Sequence, residues 1–254
     1  MSLFRPKLWT AAGGALLIAA TGLAACGQAD DAAKTDTTPA ATAGEGEGGE
    51  GEGGEAGAVS AYDAVPAESK AALQLAHLKG FFLVAQAVAE LGGELAEAEA
   101  AALAGQGMLE VFDPQKADFA ASGVDEQVLR RAAEAGTPAT LNAAVSELDR
   151  AARDAGGDGA QVVKGMLSIA NGLYGHVVTP DGVDPIEWQH SYGAALAAQS
   201  IAERDGELAP VRKDIDAFVA LWPSVAAPEA AADAPAQGAV SAQASRIELA
   251  LQGL

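Results

Sequence analysis

The sequence predicts an all-α protein: an irregular bundle of six to eight helices that follows a disordered acidic tether. Three observations point there. Aromatic residues make up 5% of the 254 residues, while Ala and Gly fill much of the 50% hydrophobic fraction. That is a composition of small-residue helices, not of sandwich strands. Beyond residue 67, apolar residues recur at i, i+3, i+4 and i+7, with no alternating run and no Asn-Gly turn. No period of 34 or 40 residues emerges, which argues against a helical-repeat array. Charge and cysteine content bound the function. The chain carries 15 Lys+Arg against 35 Asp+Glu, a formal charge of −20, so nucleic acid is not expected as a partner. A single cysteine excludes a disulfide framework and a thiolate metal cluster.

Residues 1–25 read as a secretory signal peptide. Arg5 and Lys7 form a positive start, 8–25 is almost wholly apolar, and small residues close the run. An apolar run of 18 residues is borderline for a bilayer of roughly 30 Å, so a retained span is the competing reading. No other segment of the mature chain reads as a span. The stretch Leu23-Ala24-Ala25-Cys26-Gly27 resembles the lipobox of bacterial lipoproteins. The resemblance implies cleavage before Cys26 and acylation of both its sulfur and its new amino group. Each buried CH₂ of such chains contributes about 0.8 kcal/mol, and two chains anchor stably where one does not. Gly27 and Gln28 follow the cysteine where a retention signal would have Asp. By the enterobacterial rule, that implies an outer-membrane lipoprotein facing the periplasm.

Residues 26–66 are expected to form the tether. Asp30, Asp31 and Asp36 precede the tract GEGEGGEGEGGE over 44–55. Glycine is entropically costly to order and the glutamates repel one another. About 40 such residues reach roughly 35 Å. A cation-binding role is the alternative, but the tract lacks the spacing of a Ca²⁺ loop. Beyond it, residues 67–254 still hold 26 acids against 12 bases, which turns the partner list toward cations and basic protein surfaces.

The helical bundle is expected over 67–223. A first helix at 67–91 carries Leu75, Leu78, Phe82, Ala85 and Ala89 on one side and Phe81, Val84 and Val88 beside them. Only a narrow strip of Lys79, Gln86 and Glu90 is polar, so this helix should be central. An Ala/Glu-rich stretch at 94–104 leads to an irregular connection at Asp113-Pro114. A short helix over 125–135 stops at Gly136, and the next opens with Thr137 and Pro138. After the breaker at 156–159, Val162, Met166, Ile169, Leu173 and Val177 share a face. Gly165 and Gly172 at its edge would let another backbone approach closely. Asp184, Pro185 and Glu187 make a strong helix start. A helix at 209–222, an Ala/Pro linker at 224–239 and a C-terminal helix at 240–254 that docks on the bundle complete the chain.

No nucleophile elbow, phosphate loop, zinc-protease helix or dinucleotide fingerprint is present. Catalysis is therefore not expected, with an envelope hydrolase as a further alternative. The most informative side chains are His77, His176 and His190, which a helical wheel places inward on three different helices. Glu187 stands three residues before His190. Neutral imidazoles with a carboxylate are the donor set of a zinc or iron site. Buried histidines also suit a pH switch, and ordinary core histidines satisfy the same pattern. The stretch Ile169-Ala170, Leu173-Tyr174, Asp181 to Trp188 and Tyr192 is similar to the extracytoplasmic helical region of iron-permease family proteins. The Arg-Glu-x-x-Glu motif of those permeases and their spans are missing, so the likeness implies the envelope and metals rather than transport. The expected protein is a lipid-anchored, non-enzymatic binding or accessory module of the bacterial envelope. It would hold the bilayer through acylated Cys26 and take an envelope protein or a cation as partner. The alternative is a metal-binding lipoprotein using His77, His176, His190 and Glu187, with no other cofactor.

Overall fold

The computed structural model describes residues 53–254. The signal peptide, Cys26 and the tether as far as residue 52 lie outside the described residues. Within them the chain is helical almost throughout. The tether boundary moves: Gly53–Ala64, expected to belong to the spacer, forms helix α1. Ala58, Ala61 and Tyr62 are buried, with Val65 half-buried beside them. These four positions are themselves an i, i+3, i+4, i+7 stripe, which the Gly/Glu run beside it obscures.

Helix α2 (Ala67–Ala89) is enclosed, with Leu73, Leu78, Phe82, Val84 and Ala85 fully out of solvent. By length and hydropathy alone it would qualify as a membrane span, contrary to the expectation that no further segment does. Yet 78% of its apolar window lies inside the bundle, so it is a core helix. Helix α3 (Glu94–Gly107) follows a pair of positive-φ glycines, Gly92 and Gly93. The expected irregular connection is instead continuously helical. A wider π-turn at Met108–Phe112 and a 3₁₀ turn at Asp113–Gln115 lead into α4 (Lys116–Ala121). Pro114 has no N–H to give to an α ladder, and the tighter and wider turns absorb that break.

Helix α5 (Glu126–Ala135) starts at an Asp125 cap and stops at left-handed Gly136. Helix α6 (Pro138–Ala155) is capped by Thr137 and buries Leu141, Ala144, Leu148 and Ala151. Asp158 caps α7 (Gly159–Tyr174). A two-residue hairpin, β1 (Val178–Thr179) with β2 (Gly182–Val183), turns the chain through Pro180-Asp181. Asp184 then caps α8 (Pro185–Arg204), accepting from the N–H groups of Ile186 and Glu187. A 3₁₀ turn at Gly206–Val211 opens α9 (Arg212–Val219), shorter than the periodicity suggests because Pro210 interrupts it. The Ala/Pro segment crosses the surface to α10 (Gln237–Leu251), which buries Val240, Ala244, Ile247 and Leu251.

Two hydrophobic cores flank α2. One gathers α1, α7, α8, α9 and α10 around Tyr174, Trp188, Phe218 and Trp222. The other gathers α3 to α6 around Phe82, Phe112, Phe119, Leu141 and Leu148. Helix α2 contributes to both, Leu73 and Ala76 to the first and Leu75, Leu78 and Phe82 to the second. It crosses α8 at two glycines. A methyl on Gly80 would stand 2.8 Å from the Gly193 carbonyl oxygen, and one on Gly193 2.6 Å from that of Gly80. This is the close backbone approach expected at Gly165 and Gly172. Gly165 instead makes room for the Leu73 side chain, and Gly172 faces open space.

Candidate functional site

Where the two cores meet, α2 carries polar side chains on opposite sides. On one side lie His77 and its neighbours. The Tyr62 hydroxyl and His77 Nδ1 share a hydrogen bond of 2.6 Å, and Gln115 reaches both Tyr62 and Gln74. The Phe81 ring stands between the imidazoles of His77 and His190, with centroids 5.7 and 4.7 Å away. His190 Nε2 is 3.3 Å from Gln106 Oε1, and its Nδ1 is 4.0 Å from Glu110. Gly107 admits Phe81 here, since any Cβ at that position would overlap its ring. Burial holds the His77 imidazole down at about 3, helped by His190 nearby. Burial likewise lowers His190 to about 4. Both rings are therefore neutral near pH 7.

His176 departs from the expected inward position. Helix α7 ends at Tyr174, so the wheel no longer applies, and His176 is exposed in the turn beyond it. Glu187 is half-buried, and one of its carboxylate oxygens has no hydrogen-bond partner among the described residues. Burial raises its pKa, and His176 partly offsets this. The three histidines thus do not come together. Among the described residues no group of three His, Cys, Asp or Glu side chains is placed to hold a metal ion, and the expected imidazole–carboxylate site is not formed. Cys26 lies outside the described residues.

The other side of α2 holds a feature the sequence pattern does not reveal. Lys79, expected on the solvent strip, is 2% exposed. The wheel collapses the helix onto one circle. Gln86 and Glu90 near its end do meet water, but α6 and α8 cover the strip at Lys79. Its Nζ donates to Ser200 Oγ at 2.6 Å and is ion-paired with Asp149 at 2.5 Å. The second oxygen of Asp149 takes Arg204. Burial pushes the Lys79 ammonium down to about 8, and Arg204 adds to that effect. Asp149, and Glu203 at longer range, oppose it.

A cavity of about 340 Å³ opens beside this cluster. Helix α2 lines it with Ala72, Leu75, Ala76 and Lys79, one face at helical spacing. Leu148, Asp149, Ala152 and Arg153 come from α6, Val162 from α7, and Ile201 and Arg204 from α8. Three alanines, at 72, 76 and 152, stand where larger residues would fill the gap. The rim is backbone: Gly156, Gly157 and Gly206. An apolar pocket with a few convergent charged groups, one of them with a shifted pKa, is the usual form of a small-ligand site.

The 2.6 Å contact of Lys79 with Ser200 has the spacing of a base and its nucleophile. Asp149, however, holds the amine in its charged, donating form. Ser200 also sits in the interior of α8, where backbone N–H groups are committed to the helix ladder and none can stabilise an oxyanion. No known protein family matches the chain, and no curated protein or solved structure is similar to it.

Proposed function

We propose that the protein is a lipid-anchored, non-enzymatic binding module of the bacterial envelope, held on the outer membrane through acylated Cys26 and facing the periplasm, with its ligand site in the cavity beside Lys79. The observation that carries the binding role is that cavity. A bundle whose helices otherwise touch backbone to backbone at Gly80 and Gly193 keeps an unfilled pocket of about 340 Å³ next to a buried lysine. Ala72, Ala76 and Ala152 keep that volume open among four helices, the concave, partly apolar form of a small-ligand site. The anchor rests on Leu23-Ala24-Ala25-Cys26.

Each part has its own test. Cys26→Ser should abolish incorporation of labelled fatty acid and move the protein from the membrane to the soluble fraction. Continued labelling would remove the anchor from the reading. For the cavity, the full chain should show a saturable rise in melting temperature with at least one of hexanoate, hexanol and hexylamine. Ala152→Phe, which places a ring in the pocket from a half-buried position of α6, should eliminate that rise. Absence of any saturable response to all three would overturn the binding role.

A further inference from the structure

We infer that the cavity beside Lys79 takes a small organic monoanion, a single carboxylate on a short apolar body. This rests on the binding role proposed above and names its ligand class.

The charges set the sign. Lining side chains include three cations, Lys79, Arg153 and Arg204, and two anions, Asp149 and Asp205. Asp149 divides its two oxygens between Lys79 and Arg204, so one negative charge serves two positive ones. The Asp205 carboxylate is engaged elsewhere, capping the 3₁₀ turn by accepting the Glu207 N–H at 2.9 Å. Arg153 has no ion-pair or hydrogen-bond partner among the described residues. A surplus of positive charge therefore faces the cavity, with Lys79 at its buried end. Arg153 is exposed and lacks a counter-charge, so an incoming carboxylate can pair with it without displacing Asp149 from Lys79 and Arg204. The guanidinium groups of Arg204 and Arg153 match a carboxylate's paired oxygens.

The rest of the pocket sets the body. Ala72, Leu75, Ala76, Val162 and Ile201 offer apolar wall, and a volume of about 340 Å³ lies at the small end of ligand sites. The surrounding chain carries a net charge of −20. Its long-range field opposes polyanions, while a single charge screened at close range can still enter.

Thermal shift and calorimetry on the full chain with hexanoate, hexanol and hexylamine test the assignment. Hexanoate should bind saturably and at least about tenfold more tightly than hexanol or hexylamine, the equivalent of one charge-assisted hydrogen bond. Arg153→Glu, a substitution of an exposed side chain that leaves the core untouched, should weaken hexanoate about tenfold or more while leaving hexanol unchanged. Arg204→Ala should do the same for hexanoate if the protein folds, and the Arg153 variant decides the matter if it does not. Equal binding of alcohol, amine and acid, or an unaltered hexanoate affinity in Arg153→Glu, would overturn the monoanion assignment yet leave the cavity a binding site. Failure of all three probes would overturn both.

Discussion

His77 and Lys79 stand two residues apart on α2, about 200° around the helix, and they solve the burial of a polar group in opposite ways. His77 gives up its charge. It is packed between Tyr62 and Phe81, and its hydrogen bond with Tyr62 is one between neutral groups. Lys79 is held near charge by Asp149, with Arg204 sharing the same carboxylate. The histidine side is filled by rings, whereas the lysine side is left with open volume. A neutral group needs only a close acceptor or donor to be buried. A charged one needs a counter-charge in good geometry, which Asp149 of α6 supplies here.

The largest expected effect removes both sides at once. Gly193→Ala places a methyl 2.6 Å from the Gly80 carbonyl oxygen and must separate α2 from α8. Urea unfolding should show a loss of at least about 3 kcal/mol. A loss below about 1 kcal/mol would mean the two helices have room to move apart.

Next comes the lysine side alone. Asp149→Ala leaves Lys79 and Arg204 facing one another without a shared counter-charge. It should cost about 2–3 kcal/mol, somewhat less than breaking a fully buried pair, because Asp149 keeps some contact with water. Lys79→Met should cost less than about 1.5 kcal/mol, since Asp149 retains Arg204 and an apolar side chain takes the buried place. If the lysine variant proves the more damaging of the two, the ion pair is not what stabilises this side.

Acidity separates the two sides. His77 and His190 have folded pKa values of about 3 and about 4, against an ordinary 6.5. Between those limits the unfolded chain holds protons that the folded one lacks, so stability is complete above about pH 6.5 and falls as the pH drops. Glu126 and Glu147, whose pKa values are lowered by Lys116 and Arg150 respectively, lose their contribution only below about pH 4.5. Glu187 works in the other direction, because burial raises its pKa. The rise in stability with pH between about 4.5 and 6.5 is therefore the histidines' contribution, which Glu187 opposes from about pH 4.5 upward, and His77→Gln should reduce it in a series of denaturation curves. On the lysine side, the folded value of about 8 against 10.5 makes stability rise with pH between those two values. Lys79→Met should remove that rise.

The smallest effect lies away from both. Gly172 is exposed in α7 with nothing near the site of a Cβ. Gly172→Ala should stabilise by about 0.5–1 kcal/mol, measured by the same unfolding assay.

What the sequence reveals of this molecule follows what a single helix can reveal. The all-α architecture, the helix starts at Thr137 and Asp184, and the docked face of α10 are set by residues close in the chain, and each is readable there; the caps at Asp125 and Asp158 pass as a helix boundary and part of a breaker. Helix α1 escapes notice because its stripe of Ala58, Ala61, Tyr62 and Val65 begins within a Gly/Glu run that hides the period. His176 is misjudged because a wheel cannot see where its helix stops. The lysine side is invisible for a deeper reason. Lys79, Asp149, Ser200 and Arg204 come from three helices, and each on its own reads as a polar residue facing water. Only assembly makes them a site. A lysine flanked by Leu78 and Gly80, on a helix otherwise apolar nearly all round, is the one local clue.

The position of α2 also determines how the molecule comes apart. Because its side chains belong to both cores, neither half can shed its contacts while the other stays intact around the same helix. Unfolding should be one cooperative transition, and the amides from Leu73 to Ala85 should exchange with solvent only through complete opening. A ligand seated against α2 would then slow that exchange in both cores alike, including residues far from the pocket.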